Sequence, residues 1–268
     1  MARPVVFLKL GGSLITDKAR PGVARHAVLR RLAREVAAIA NGARGARVLL
    51  GHGSGSYGHP AAAGGGLTPG ADARGRLDAI SRTQHAAAGL HHLVIAALQD
   101  AGARPFSFAP SSFLSSSGGR VSGRFTGPIF SALNRGLLPV VYGDVVLDDA
   151  RGAVVLSTEA LFLLLAKEAA ARRILVSRAV WLGETDGVHD SEGITIETLT
   201  PSQATRVARR VNGASGIDVT GGMALRLRAA GTLASAGVPS IIIDGRRAGA
   251  LEQAVRGLFR RGTRVSSR

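Results

Sequence analysis

Short apolar runs alternate along the chain with longer stretches in which apolar side chains recur every three or four positions. Val5-Val-Phe-Leu, bounded by Pro4 and the Gly11-Gly12 pair, has the continuous apolar character of a buried parallel strand. Arg25 to Ala40 places Val28, Leu32, Val36 and Ile39 on one face with arginines between them, which predicts a surface helix returning to a second strand at Arg47-Val-Leu-Leu. Leu77 to Ala101 reads as a long helix, with Ile80, Leu90, Leu93, Val94 and Leu98 toward a core, and Arg104 to Ala109 as a third strand. Gly118-Gly119 turns a hairpin within Ser111 to Thr126. A short helix over Pro128 to Arg135 follows, then a strand from Leu137 to Val146 turned at Gly143-Asp144, and another at Ala153 to Ser157. Beyond it come a helix over Thr158 to Ala171, a strand at Ile174 to Ser177, and a strand end before Glu184. The remainder predicts a helix over Pro201 to Val211, a glycine turn at Asp218 to Met223 opening a helix from Ala224 to Ala236, a strand at Val238 to Ile243, a helix over Ala248 to Leu258, and a frayed basic tail from Arg260 to Arg268. Strands alternating with helices predict an α/β fold: an open three-layer αβα sandwich with a largely parallel central sheet, continuous over residues 1–268.

Composition narrows the chemistry. No Cys is present, which excludes disulfides, thiolate catalysis and cysteine metal sites. The longest apolar run, Ala160 to Ala166, is too short to span a bilayer, and the N-terminus lacks the apolar length of a signal peptide, so a soluble cytoplasmic protein without a membrane partner is expected. The formal charge of +16 invites a nucleic-acid reading. Its arginines are scattered without aromatic interleaving, however, and no nucleic-acid partner is expected. Of 34 basic residues only Lys9, Lys18 and Lys167 are lysine, so these mark places where a compact ammonium suits better than a guanidinium.

Two of those lysines lie in the first eighteen residues. Gly51-His-Gly-Ser-Gly-Ser-Tyr-Gly-His-Pro60 follows the second strand, and its glycines can present backbone N–H groups to a phosphate, with His52 and His59 bracketing them. Gly53 to Gly58 also spells the dinucleotide fingerprint, but Ala61 to Gly70 reads as a small-residue loop where that motif needs a helix, and no strand precedes Asp72 or Asp78. Lys9-Leu-Gly-Gly-Ser13 sits at the carboxyl end of the first strand, where open α/β sheets bind ligands. Glu184, Asp186 and Asp190 occupy a turn beyond a strand end and suit a ribose, a Mg²⁺ ion or neighbouring basic groups. Arg226 lies on the first turn after the second glycine turn, where a helix N-terminus favours a nucleotide phosphate. His85, His91 and His92 lack partners at metal-ligand spacing and read as surface or packing residues.

Taken in order, Lys9-x-Gly-Gly-Ser13, Ile15-Thr-Asp-Lys18, His52 to His59, Val141 to Val146, Thr185 to Asp190 and Asp218 to Met223 resemble the amino acid kinase family over nearly the whole chain. The resemblance implies transfer of the γ-phosphoryl group of ATP to a small phosphate acceptor, isopentenyl phosphate, with Mg²⁺, by a homodimer whose acceptor lobe runs to about residue 150 and whose nucleotide lobe covers about 151–260. By the family pattern, Lys9, Lys18 and His59 are catalytic. Ser54, His59, Asp144 and Thr158 bind the acceptor; Lys9, Gly11, Gly12, Ser13, Gly55, Glu184, Asp186, Gly187, Gly222 and Arg226 bind ATP; and Glu159 organises the lysines. Metal ligands stay unassigned. The chain departs from the pattern at Ser54 (usually Gly), at Thr158-Glu159 (usually Gly-Asp), at Glu184 (usually Asp) and at Arg226 (usually Lys). A kinase of another tetrahedral anion, such as fosfomycin, and a basic nucleic-acid-binding or regulatory protein are the alternatives.

Overall fold

A computed structural model describes residues 3–42, 46–68, 70–213 and 222–267. The first half runs β1 (Val5–Leu10), α1 (Gly12–Ile15), α2 (His26–Asn41), β2 (Arg47–His52), α3 (Gly55–Gly64), α4 (Leu77–Asp100), β3 (Pro105–Ser107), α5 (Pro110–Phe113), β4 (Leu114–Ser117), β5 (Arg120–Arg124), α6 (Gly127–Asn134) and β6 (Leu138–Tyr142). It continues through β7 (Asp144–Asp148), β8 (Gly152–Leu156), α7 (Thr158–Ala171), β9 (Val176–Gly183), β10 (Val188–His189), β11 (Thr195–Ile196), β12 (Thr198–Leu199), α8 (Pro201–Gly213), α9 (Gly222–Ser235), β13 (Ser240–Asp244), α10 (Ala250–Arg256) and β14 (Thr263–Val265).

The central sheet has eight strands in the order β12-β14-β13-β9-β1-β2-β6-β3, parallel throughout except where β14 runs antiparallel to β13. β1 lies in its middle, paired in parallel with β2 and β9, and all six of its residues are buried. Because side chains alternate across a strand, β1 feeds two cores. Val5 and Phe7 join Phe162, Trp181 and Leu227, with the Phe7 and Phe162 rings 5.0 Å apart. Val6, Leu8 and Leu10 join Leu32, Val36, Leu90 and Leu251 on the other face. The result is the expected three-layer sandwich. A smaller sheet, β5-β4-β7-β8, stands beside it, built from the predicted Gly118-Gly119 hairpin and the β7–β8 hairpin.

Three local expectations fail. The expected frayed tail from Arg260 to Arg268 is instead ordered through its described residues: β14 pairs with both β12 and β13, and Thr263 and Val265 are fully buried while Arg264 faces out. Period-two alternation over three residues is too short to stand out among arginines, and the strand exists because two neighbours supply its hydrogen bonds. Ala61 to Gly64 is helical rather than looped, since α3 packs on α4 and carries Pro60 within it. Val176 to Gly183 is one strand, where the polar Ser177-Arg178 pair reads as a break. Asp218 to Gly221 of the second glycine turn lies outside the described residues.

Candidate active site

The same alternation that places Phe7 against Phe162 carries Lys9 toward that side of the sheet, the side covered by α7. Ser157 caps α7, its hydroxyl accepting from the Ala160 N–H, and this sets Glu159 in the first helical turn. Lys9 Nζ donates to Glu159 Oε1 at 2.5 Å, and both residues are buried. Burial pushes the Lys9 pKa down; Glu159 opposes this, and the Arg226 charge lowers it further, leaving it below the usual lysine value. Burial pushes Glu159 up, but the Lys9 charge and hydrogen bond and Arg226 together hold it below the ordinary glutamate value. The two side chains form a close buried salt bridge, with the Arg226 charge acting on both. Arg226 lies buried across the end of β9, its guanidinium against Gly183, where a Cβ would come within 2.6 Å of Nη1.

Around Lys9 two glycine turns meet backbone to backbone. A Cβ at Gly12 would fall 2.5 Å from the Gly55 nitrogen, and one at Gly53 would fall 2.9 Å from the Gly12 nitrogen and 3.9 Å from Lys9 Nζ. Thr16 fastens the two turns, its hydroxyl donating to the Gly12 carbonyl and accepting from the Ser56 N–H. Gly55 adopts φ +49°, a left-handed conformation that glycine takes without cost. Ser13 and Gly12 remain partly open to solvent at the start of α1, and Gly11 N–H is held by the Leu182 carbonyl. His59 is exposed on α3, yet partial desolvation and the nearby Lys9 charge, opposed by Glu159, hold its pKa below the ordinary histidine value. It is thus a neutral donor at pH 7, within electrostatic reach of the ion pair.

The structure unites Lys9, Glu159, Arg226, His59, Gly11, Gly12, Gly53, Ser54 and Gly55 in this way. Other expected residues are engaged elsewhere. Lys18 is exposed and pairs with Glu184 at 3.3 Å, while Arg25 Nη1 donates to the other Glu184 oxygen at 2.7 Å. Of the roles open to the carboxylate turn, Glu184 takes that of partner to basic groups. Asp186 accepts from Thr195 and is paired with His189, Asp190 caps its own turn, and Gly187 is pressed against Thr195 and Thr263. Thr158 is almost wholly buried, its hydroxyl donating to the His52 carbonyl, which places it behind the glycine turn as a brace. Asp144, also buried, accepts from the Ser111 and Val145 N–H groups, and burial raises its pKa. Gly222 begins α9. Thr16 lies within the Ile15 to Lys18 motif but was given no role of its own, and Arg25 and the buried Asp148 belong to no motif; each acts through at least one partner distant in the chain. His91, expected at the surface or in packing, is buried and hydrogen-bonded to His52.

Residues 4–244 match the family model described as the amino acid kinase family. The chain belongs to the amino acid kinase family. This family membership makes it a kinase, and its ATP use follows from the same assignment. Among curated relatives, isopentenyl phosphate kinase of Methanothermobacter thermautotrophicus is 32% identical, the alignment covering 98% of this chain and all of that protein. Isopentenyl phosphate kinase of Haloferax volcanii is also 32% identical, over 84% of this chain and 86% of its own. A solved isopentenyl phosphate kinase structure superposes with a TM-score of 0.79 at 29% identity, covering 97% of this chain and 99% of that one. Against this kinase background, the buried ammonium flanked by two glycine turns is an arrangement for holding phosphates, as Lys and backbone N–H groups at strand ends do generally. Among the described residues no three His, Asp or Glu side chains come together as a metal site.

Proposed function

We propose that this kinase transfers the γ-phosphoryl group of ATP to isopentenyl phosphate, giving isopentenyl diphosphate and ADP. The observation that carries the reading is the Lys9–Glu159 pair set against the Gly12 and Gly53 turns, with neutral His59 beside it. The names of full-length relatives support the acceptor. In this reading the acceptor phosphate rests on the Ser54 side of the glycine turn and on His59, and the ATP phosphates on Gly12, Ser13, Gly55 and Arg226. Lys9 lies between them, and Glu159 holds its ammonium in line. An acceptor phosphate has a second pKa of about 6 and is already substantially ionised at neutral pH, so no general base is required. Charge neutralisation and in-line placement supply the catalysis. Lys18 reaches the transferring group by leaving Glu184. A Mg²⁺ ion bound with ATP would neutralise part of the polyphosphate charge. Residues to about 150 would form the acceptor lobe and 151–260 the nucleotide lobe of a cytoplasmic homodimer, a state that sedimentation would check.

The deciding experiment is an ATP-dependent assay across isopentenyl phosphate, dimethylallyl phosphate, fosfomycin and N-acetylglutamate, with and without Mg²⁺. Isopentenyl phosphate is expected to have the highest kcat/KM, and turnover to stop in excess chelator. A saturable preference for N-acetylglutamate would sink the reading, and a preference for fosfomycin would move it to the phosphonate alternative.

A further inference from the structure

Behind the glycine turn lies a chain of buried polar groups that the reaction does not use directly. His52 Nδ1 is 3.1 Å from the Gly53 carbonyl oxygen, and His52 Nε2 is 3.0 Å from His91 Nδ1. His91 Nε2 in turn lies 2.7 Å from the hydroxyl of Ser107, which is exposed on β3. Both imidazoles stack on the Tyr142 ring, with centroids 5.5 and 4.2 Å away. A carbonyl can only accept, so His52 Nδ1 carries the proton and Nε2 the lone pair. That lone pair takes the His91 Nδ1–H, and His91 Nε2 takes the Ser107 O–H. One tautomer at each ring satisfies every link, provided both rings are neutral. Burial favours that state, pushing His52 down to about 4 and His91 down to about 2.

The backbone on either side is fixed as well. The His52 carbonyl accepts from Thr158 Oγ1 and the Gly143 N–H, and the Gly53 N–H donates to the Leu10 carbonyl. Among the described residues the next peptide is held by its Gly53 carbonyl alone, through His52. In a trans peptide the N–H points opposite to the C=O, and there are no cis peptides here. Drawing the Gly53 carbonyl back onto His52 therefore turns the Ser54 N–H away from the histidines. That N–H has no acceptor among the described residues, and the turn that carries it borders Lys9 Nζ.

We infer that His91 is a positioning residue: through His52 it locks the Gly53–Ser54 peptide so that the Ser54 N–H is presented to the acceptor phosphate. The inference rests on the proposed phosphoryl transfer for its kinetic readout, while the tautomers can be measured without any turnover.

The test pairs ¹⁵N-histidine NMR of the wild-type protein with kinetics of three variants. The spectra should show His52 and His91 both neutral and both protonated at Nδ1 at pH 7. His91→Phe keeps a ring against Tyr142 but removes both hydrogen bonds. It should lower kcat/KM for isopentenyl phosphate by about 10²-fold, the scale of an ångström of misplacement, while the KM for ATP stays within about twofold. His91→Asn, whose amide can stand in for Nδ1–H, should recover most of the loss. Ser107→Ala, at an exposed position, should cost about threefold, the loss of one hydrogen bond at the far end of the chain. Unchanged acceptor kinetics in His91→Phe would overturn the inference, as would equal losses for acceptor and ATP without rescue by Asn, or a His52 lacking its Nδ1 proton. Should His91→Phe fail to fold, the wild-type tautomers and Ser107→Ala decide. Wild-type protein inactive on isopentenyl phosphate would refute the acceptor assignment instead, with the spectra still ruling on the chain.

Discussion

Glu159 and Asp148 are both carboxylates shut away from solvent, 7% and 4% exposed, and they are held in opposite ways. Asp148 ends β7 in the small sheet. It accepts from the N–H groups of Gly118, Gly119, Ala150 and Arg151 and from the Ser116 hydroxyl, so neutral donors on two hairpin turns surround it. Burial pushes its pKa up, but the bonds from Gly119, Ser116, Arg151 and Ala150 outweigh that and bring it down to about 2. Glu159, by contrast, faces the Lys9 ammonium and the Arg226 charge. Neutral dipoles from the backbone tie a knot that has nothing left to offer a ligand. A single carboxylate between two cations leaves net positive charge in a buried place, which is what an incoming polyphosphate needs.

Lys9→Arg should break the active end most sharply. A guanidinium is planar and grips one partner bidentately, so it cannot sit between two phosphoryl groups as an ammonium does. Turnover should fall by roughly 10²-fold with the fold retained, whereas Lys167→Arg, exposed on α7, should leave both turnover and stability unchanged in the same steady-state and thermal-melt assays. Equal, near-wild-type turnover in the two variants would remove Lys9 from the mechanism.

Carboxylate-to-amide changes then compare the two regions directly. Glu159→Gln leaves Lys9 buried without a counter-charge beside Arg226, and should cost about 3 kcal/mol in chemical denaturation together with most of the activity. Asp148→Asn replaces one accepting oxygen with a donor facing other donors. It should cost about 2 kcal/mol and leave kcat and KM unaltered, because the small-sheet knot touches no phosphate. A kinetic defect in Asp148→Asn at wild-type stability would collapse the distinction. The smallest effect is in acid. A folded pKa of about 2 for Asp148 against an unfolded carboxyl near 3.9 means the unfolded chain binds the proton first. The stability it contributes is complete above about pH 4 and is lost as the pH falls toward 2. The difference in melting temperature between wild type and Asp148→Asn should therefore shrink over that window.

Lys9 was legible in the sequence because three local signals coincide: an apolar strand, a glycine pair at its end, and a lysine in a chain otherwise rich in arginine. The glycine turns were legible for the same reason, although their role includes one the sequence does not show, the backbone contact between Gly12 and Gly53. Asp148 reads as an ordinary turn residue bonded to Ala150 and Arg151, since its other donors come from a hairpin some thirty positions earlier. The His52–His91 link spans 39 positions and needs the packing of α4 on the sheet before it exists. Glu184 carried the right chemistry for several partners, and only the path of the chain chose Lys18 and Arg25. Local pattern fixes which elements form. Pairing across the fold decides which polar groups are consumed and which stay available.

The short strand β14 has a consequence for how the molecule is made. It is synthesised after both of its neighbours, yet it lies between them, and its Thr263 hydroxyl accepts from the Val188 N–H and donates to the Ile196 carbonyl of the β10–β11 hairpin. Until residues 263–265 leave the ribosome, β12 has no edge to join and the turn carrying Asp186 lacks its Thr263 contact. A chain emerging from synthesis can therefore assemble β1, β2 and their helices early, but this border of the sheet is closed from the back, by a strand made after both of those it joins.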